Sequence, residues 1–225
     1  MARHLELELE KIRREVLSLA AYVEDIVVQS VISLETRDTE KAVKIVSMDQ
    51  YVNEKEVDIE EACLKVLALH QPVAHDLRFL IGVIKVNNDL ERIADLAVNV
   101  AKRTIYIAKE ERVMLPFDLN AMSNEAVRMM RNTMKALFAT DVVLARQIIK
   151  EDHIIDEMNR HMYQAIFLAI KEDPNRVAVY INYFSAGRML ERIADYCTNI
   201  SEDLIYMKEG TIVRHNPSIA GFNNK

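Results

Sequence analysis

LERIAD occurs twice in this chain, at Leu90–Asp95 and at Leu190–Asp195, letter for letter. The match continues to Asn99 and Asn199 and to Ile105-Tyr106 and Ile205-Tyr206, all 100 residues apart. Upstream the offset becomes 103, pairing Asp38 with Asp141, Ala42 with Ala145 and Asp49 with Asp152. The three-residue change falls on a loop, where length is free to vary. Such a chain reads as a duplicated unit, about 1–112 and 118–210, followed by a polar, loosely ordered tail, 211–225.

Each unit is helical. The breakers Pro72, Pro116 and Pro174 punctuate long segments whose apolar residues recur every three or four positions, as in Ile12, Val16, Leu19, Val23, Ile26 and Val27. The segments run from Leu5 to Leu34, from a polar break at Thr36-Arg37-Asp38 to about Leu69, and from Pro72 to about Glu110. After a linker, 111–118, they run over Leu119–Ala139, from Asp141 to Lys171 and from Asn175 to Glu209. Asp173 is placed to cap the last segment with Pro174 in its first turn, and Gly210 to stop it. A thirty-residue helix is about 45 Å long, and such helices joined by short loops pack antiparallel. The expected fold is all-α, two tandem three-helix bundles made of six long antiparallel helices.

Composition agrees and excludes several classes. Four glycines and four prolines in 225 residues are too few for the turns of an all-β fold. A net charge of −6 leaves no electrostatic footprint for nucleic acid. Two cysteines, Cys63 and Cys197, make neither a disulfide framework nor a thiolate zinc site, which suits a reducing cytoplasm. No run of about eighteen apolar residues is present, and the charged N-terminus MARHLELELE has no apolar signal core, so neither membrane insertion nor secretion is expected.

The duplicated helices carry paired acids. Glu91 and Asp95, and Glu191 and Asp195, are four residues apart, which puts two carboxylates on one helix face. The preceding helices offer Asp49 with Asn53 and Asp152 with Asp156. In an antiparallel hairpin, residues equidistant from the turn are level. Asp49 and Asp95, like Asn53 and Glu91, are centred on Pro72. Asp152 and Asp195, like Asp156 and Glu191, are centred on the Asp173-Pro174 loop. Level carboxylates repel unless something cationic neutralises them. Arg92, Arg192 and Arg188 are spaced to reach Asp95, Asp195 and Glu191, which would make a solvated polar face. A cluster of oxygen ligands for a hard cation such as Mg, Mn, Ca or iron is the other reading. With Ala194, Cys197, Ser201 and Leu204 facing inward, the acids fall outside the core, so a metal would rest on the outside of the bundle.

A ferritin-like di-iron site is excluded, because Glu-x-x-His pairs are absent: Glu157 and His161 are four apart and have no counterpart in the first unit. His75 and His153 read as surface or helix-end residues, and the methionines, Met129, Met130 and Met134 among them, as core filling. There is no phosphate-binding glycine loop, nucleophile elbow or Cys/His ligand set.

Three stretches resemble the PhoU family of phosphate-uptake regulators: QPVAHDLR (Gln71–Arg78), NNDLERIADLAVNVA (Asn87–Ala101) and LERIADYCTNISEDLIYMKEG (Leu190–Gly210). The resemblance spans about residues 1–214. It implies two PhoU-type bundles, a homodimer, and a non-enzymatic role in repressing phosphate uptake and the phosphate-starvation response. It also implies contacts with the ATPase of a phosphate-specific ABC transporter and with a sensor histidine kinase, at the cytoplasmic face of the membrane. Some members carry multinuclear metal clusters, iron in particular, on these acidic turns; Mn, Zn and Mg are further candidates. Mapped residue by residue, the metal ligands are Asp49, Asn53, Glu91 and Asp95 in the first unit and Asp152, Asp156, Glu191 and Asp195 in the second, with Asn99 and Asn199 as outer ligands. Asn53 departs from an acidic pattern, which makes the first site the weaker. The rival readings are a carboxylate-bridged metalloenzyme and a metal-free helical scaffold.

Overall fold

The computed structural model describes residues 2–214. Six α-helices account for nearly all of them: α1 (Ala2–Thr36), α2 (Thr39–His70), α3 (Ala74–Ile107), α4 (Leu119–Ala139), α5 (Val142–Glu172) and α6 (Val177–Glu209). No strand occurs among the described residues. Helices α1–α3 pack on one another and α4–α6 do likewise, while α3 and α6 share the most extensive contact and join the two units.

Local chemistry sets the ends. Asp38, Asp118 and Asp141 cap α2, α4 and α5, each carboxylate accepting backbone N–H groups of the first turn, Lys41 N at 2.9 Å, Ala121 N at 2.9 Å and Leu144 N at 3.0 Å. Gly210, at φ 75°, closes α6 through its N–H to Tyr206 O at 2.8 Å. Two ends differ from expectation. Residues Pro174–Arg176 form a 3₁₀ turn, capped by Asp173 through Asn175 N at 3.2 Å, so α6 starts at Val177. Helix α3 stops at Ile107, short of Glu110, and Arg37 of the first loop donates to the carbonyls of Ile107 and Glu110. A distant guanidinium thus satisfies carbonyls that a continued helix would have bonded.

The core runs without interruption through both units. Ile26, Leu34, Leu90 and Ile93 of the first and Met129, Met130, Met134, Leu190 and Ile193 of the second are all buried in it. Truncating one of these aliphatic side chains to Ala removes about 2–5 kcal/mol. Gly82 permits close approach of α3 and α6, since a Cβ there would lie 2.1 Å from Met207 Cγ. Helix α1 is the one described helix long and apolar enough by composition to cross a membrane, a property the sequence reading missed; half of its most apolar window is buried inside the protein.

The units are also bridged by charge. Lys85 Nζ of α3 donates to Asp203 Oδ1 of α6 at 2.6 Å, with the Asp203 side chain only 4% exposed. The expected loose tail is anchored over its first residues: Val213 is buried, and Arg214 pairs with Glu202 at 3.3 Å and Asp203 at 3.4 Å. The rest of that tail, 215–225, lies outside the described residues.

Candidate metal centre

Asp152 and Asp156 stand one turn apart on α5, and Asp195 faces them from α6. One carboxylate oxygen from each lies within 4.8 Å of the others. Level pairing across the α5–α6 hairpin brings them together, and the helical spacing of four adds the third. Asp152 Oδ1 is buried and has no hydrogen-bond partner. Burial, then Asp156, then Asp195 and Glu191 push the Asp152 carboxyl up to about 7. Asp195 is raised as well, by burial first and by Asp156 second. Both shifts have one physical origin: closely set negative charge in a half-buried place favours whatever neutralises it, a proton or a metal ion.

Glu191 takes a different part. Its Oε1 accepts from Asn159 Nδ2 and from Arg188 Nη1, each at 3.0 Å, and the residue is 9% exposed. It therefore lies at the edge of the core, where the helical wheel placed it outside. Its Oε2 is buried without a partner, and burial followed by Asp195 raises its carboxyl. Arg188 reaches Glu191 as its spacing suggests, but Arg192 forms no ion pair with Asp195 among the described residues. Both guanidiniums still act on Asp195 at longer range, each lowering its carboxyl against burial and Asp156, which prevail.

In the first unit Asp49 and Asp95 interact, and burial followed by Asp95 raises the Asp49 carboxyl. Asp49 Oδ1 is buried and unpartnered. Arg92 sits here as the solvated reading requires, 3.3 Å from Glu91 and 3.7 Å from Asp95. Asn53 is exposed. Glu91 is raised by burial first and lowered by Arg92, with Asp95, Glu56 and Asp49 opposing. Among the described residues, the second unit alone brings three carboxylates within reach of a common ion. Asn99 and Asn199, half-exposed one turn beyond Asp95 and Asp195, make no hydrogen bond to the acids among those described.

Two participants escaped the sequence reading, Glu56 beside Glu91 and Asn159 beside Glu191. They are 103 residues apart, like Asp49 and Asp152, and lie seven residues further along the same helix face. The three positions read Asp-Asn-Glu in α2 and Asp-Asp-Asn in α5, so the carboxylate missing at Asn53 reappears three residues on, about one turn away, at Glu56. That signal was present in the repeat register.

An all-oxygen set with an orphaned buried carboxylate oxygen fits a hard cation, and neither cysteine nor histidine points into it. Cys63 and Cys197 are buried, and burial raises both thiols to about 12. His153, exposed, bonds Lys150 O at 2.8 Å.

The chain is similar to known proteins along nearly its whole length. Residues 16–104 and 119–204 match the model of the PhoU domain. The phosphate-specific transport system accessory protein PhoU homolog of Aquifex aeolicus is 32% identical over 208 residues, covering 92% of this chain and 94% of that protein. The crystal structure of PhoU from Pseudomonas aeruginosa superposes with a TM-score of 0.88 at 31% identity, covering 92% of this chain and 99% of that one. The phosphate transport system regulatory protein PhoU from Streptococcus pneumoniae gives 0.81 at 27%, with coverage of 93% and 99%. The match of both units to the domain, and of the whole chain to these relatives, leads to one assignment: the chain belongs to the PhoU family.

Proposed function

We propose that this protein restrains phosphate uptake and the phosphate-starvation response, linking a phosphate-specific ABC transporter to a sensor histidine kinase at the cytoplasmic face of the membrane. The match of both units to the PhoU domain carries this reading, and the accessory and regulatory names of the relatives support it. Such a regulator works by binding a partner differently in two states, which calls for surface and rigidity. Six long helices around one core supply both. The protein acts as a homodimer and without catalysis: its acidic turns lie at the surface of the bundle, and among the described residues no cysteine or histidine joins them. A strain lacking the protein is expected to take up phosphate and express starvation genes in phosphate-rich medium, with reversal by the wild-type gene. Unchanged uptake and unchanged expression in that strain would overturn the proposal.

The second-unit turns hold a hard metal ion, iron before Mn, Zn or Mg, with Asp152, Asp156 and Asp195 as ligands and Glu191 beside them. Asp49, Glu91 and Asp95, with Asn53, form the weaker counterpart. The ion's contribution is charge neutralisation, which would stiffen the α5–α6 face and change the charge it presents to a partner. Titration of Mn²⁺ or Fe²⁺ into chelator-treated protein tests this. The triple substitution Asp152→Asn, Asp156→Asn, Asp195→Asn should abolish the tighter binding class; binding that persists unchanged removes these turns from the account.

A further inference from the structure

A cavity of about 320 Å³ opens where α1 and α3 of the first unit meet α4 and α6 of the second. Its wall is apolar, built from Val16, Phe79, Val83, Leu137, Leu204 and Met207. Its remaining lining includes Arg13, His75 and Lys208 and no carboxylate, in a protein whose acids outnumber its lysines and arginines, 35 to 29. The Arg13 guanidinium lies 4.8 Å above the Phe79 ring and 3.8 Å from Glu10. His75 lies 3.6 Å from the Asp76 carboxylate, and Lys208 makes no ion pair among the described residues.

The repeat supplies an internal control. One hundred residues along, Tyr183 stands where Val83 does, buried at 6% exposure, and Ala108 stands where Lys208 does. Thr140 and Arg37 are matching turn residues, both left-handed at φ 52° and 58°. Arg37 is engaged by the carbonyls at the end of α3, whereas Thr140 is too short for that and lines the cavity. The hollow and its basic rim are therefore a departure of one end of the molecule from the shared plan.

We propose that this cavity binds a small amphipathic anion, an aliphatic or aromatic body of about ten to fifteen non-hydrogen atoms ending in a carboxylate or similar head. The body would lie against Val83, Leu137 and Leu204. The head would meet Arg13 and Lys208 at the rim, where charge-assisted hydrogen bonds are the strong ones. Met207 and Phe138, the latter 45% exposed, give the entrance an adaptable edge. The site is separate from the acidic turns, and its test does not depend on metal.

Isothermal titration with decanoate below its micelle-forming concentration is the experiment, with decanol as the uncharged control. One decanoate per chain is expected, bound at least about tenfold more tightly than decanol. Val83→Tyr, which copies the other unit, should abolish the binding. Arg13→Gln with Lys208→Gln, both exposed, should weaken decanoate about tenfold and change decanol binding far less, by no more than the lost contact of Arg13 with Phe79. Three results overturn the proposal: no saturable decanoate binding to wild type, equal affinity for decanol and decanoate, or wild-type affinity in a folded Val83→Tyr protein. Binding only to vesicles of anionic lipid, with none to free decanoate, also overturns it. If Val83→Tyr does not fold, the rim pair alone decides.

Discussion

Asp152 has a carboxyl held at about 7 and one oxygen buried without a partner. A carboxyl whose folded pKa lies above its unfolded value binds its proton more tightly when folded. Its contribution to stability is therefore complete below the unfolded value, near 4, and is lost as pH rises through about 7. Metal-free protein should melt about 2–4 °C higher at pH 6 than at pH 8, the effect of about 1 kcal/mol in a chain of this size. Asp152→Asn should flatten that difference, and a saturating divalent cation should reverse it by stabilising the ionised form at pH 8. Thermal unfolding in chelator and in Mn²⁺ measures all three. An Asp152→Asn protein with the wild-type pH dependence would move the effect to other acids. Sequence alone places Asp152 level with Asp195; it cannot show that Arg188 pairs with Glu191, or that burial and Asp156 outweigh Arg188 and Arg192 at Asp195. Rotamers and neighbours decide that, and they depend on the packed hairpin.

At the scale of the helix, the caps are legible from residue type, while one exception comes from a tertiary contact and the other from a local turn. Asp141 accepts from both Val143 N and Leu144 N at 3.0 Å, so Asp141→Ala should cost about 1–2 kcal/mol. Gly210→Ala places a side chain at φ 75° and should cost about 1 kcal/mol. Urea denaturation reads both, and a change below experimental error at Asp141 would mean that α5 is held by packing alone. Helix α3 ends where Arg37 reaches over from the first loop, and no local pattern near Ile107 announces it. The start of α6 shifts for a local reason: Asp173 accepts from the nearby Asn175 N–H, and the turn that follows is 3₁₀.

Across the whole molecule, the two units are held as one body by the α3–α6 seam, its shared core and the Lys85–Asp203 pair. Lys85→Met should destabilise by about 2 kcal/mol, because it leaves Asp203 buried with Arg214 as its remaining cation. Lys85→Met combined with Asp203→Leu should recover much of that loss, since both charges then go together. Denaturant midpoints of the three proteins test it; a double variant no more stable than Lys85→Met would show that Asp203 serves the seam through Arg214.

The amino-acid order alone determined six helices, their antiparallel pairing and the duplication, because helical periodicity, capping chemistry and an exact six-residue repeat are local or periodic properties. It also set Asp152 level with Asp195, since hairpin geometry follows from counting residues on either side of a loop. Only the folded structure decided which acids form a direct ion pair, that Glu191 turns toward the core, and that a basic-rimmed hollow opens at one end. Each depends on side chains from helices far apart in sequence, where burial and the nearest charge, both set by packing, outweigh any local preference.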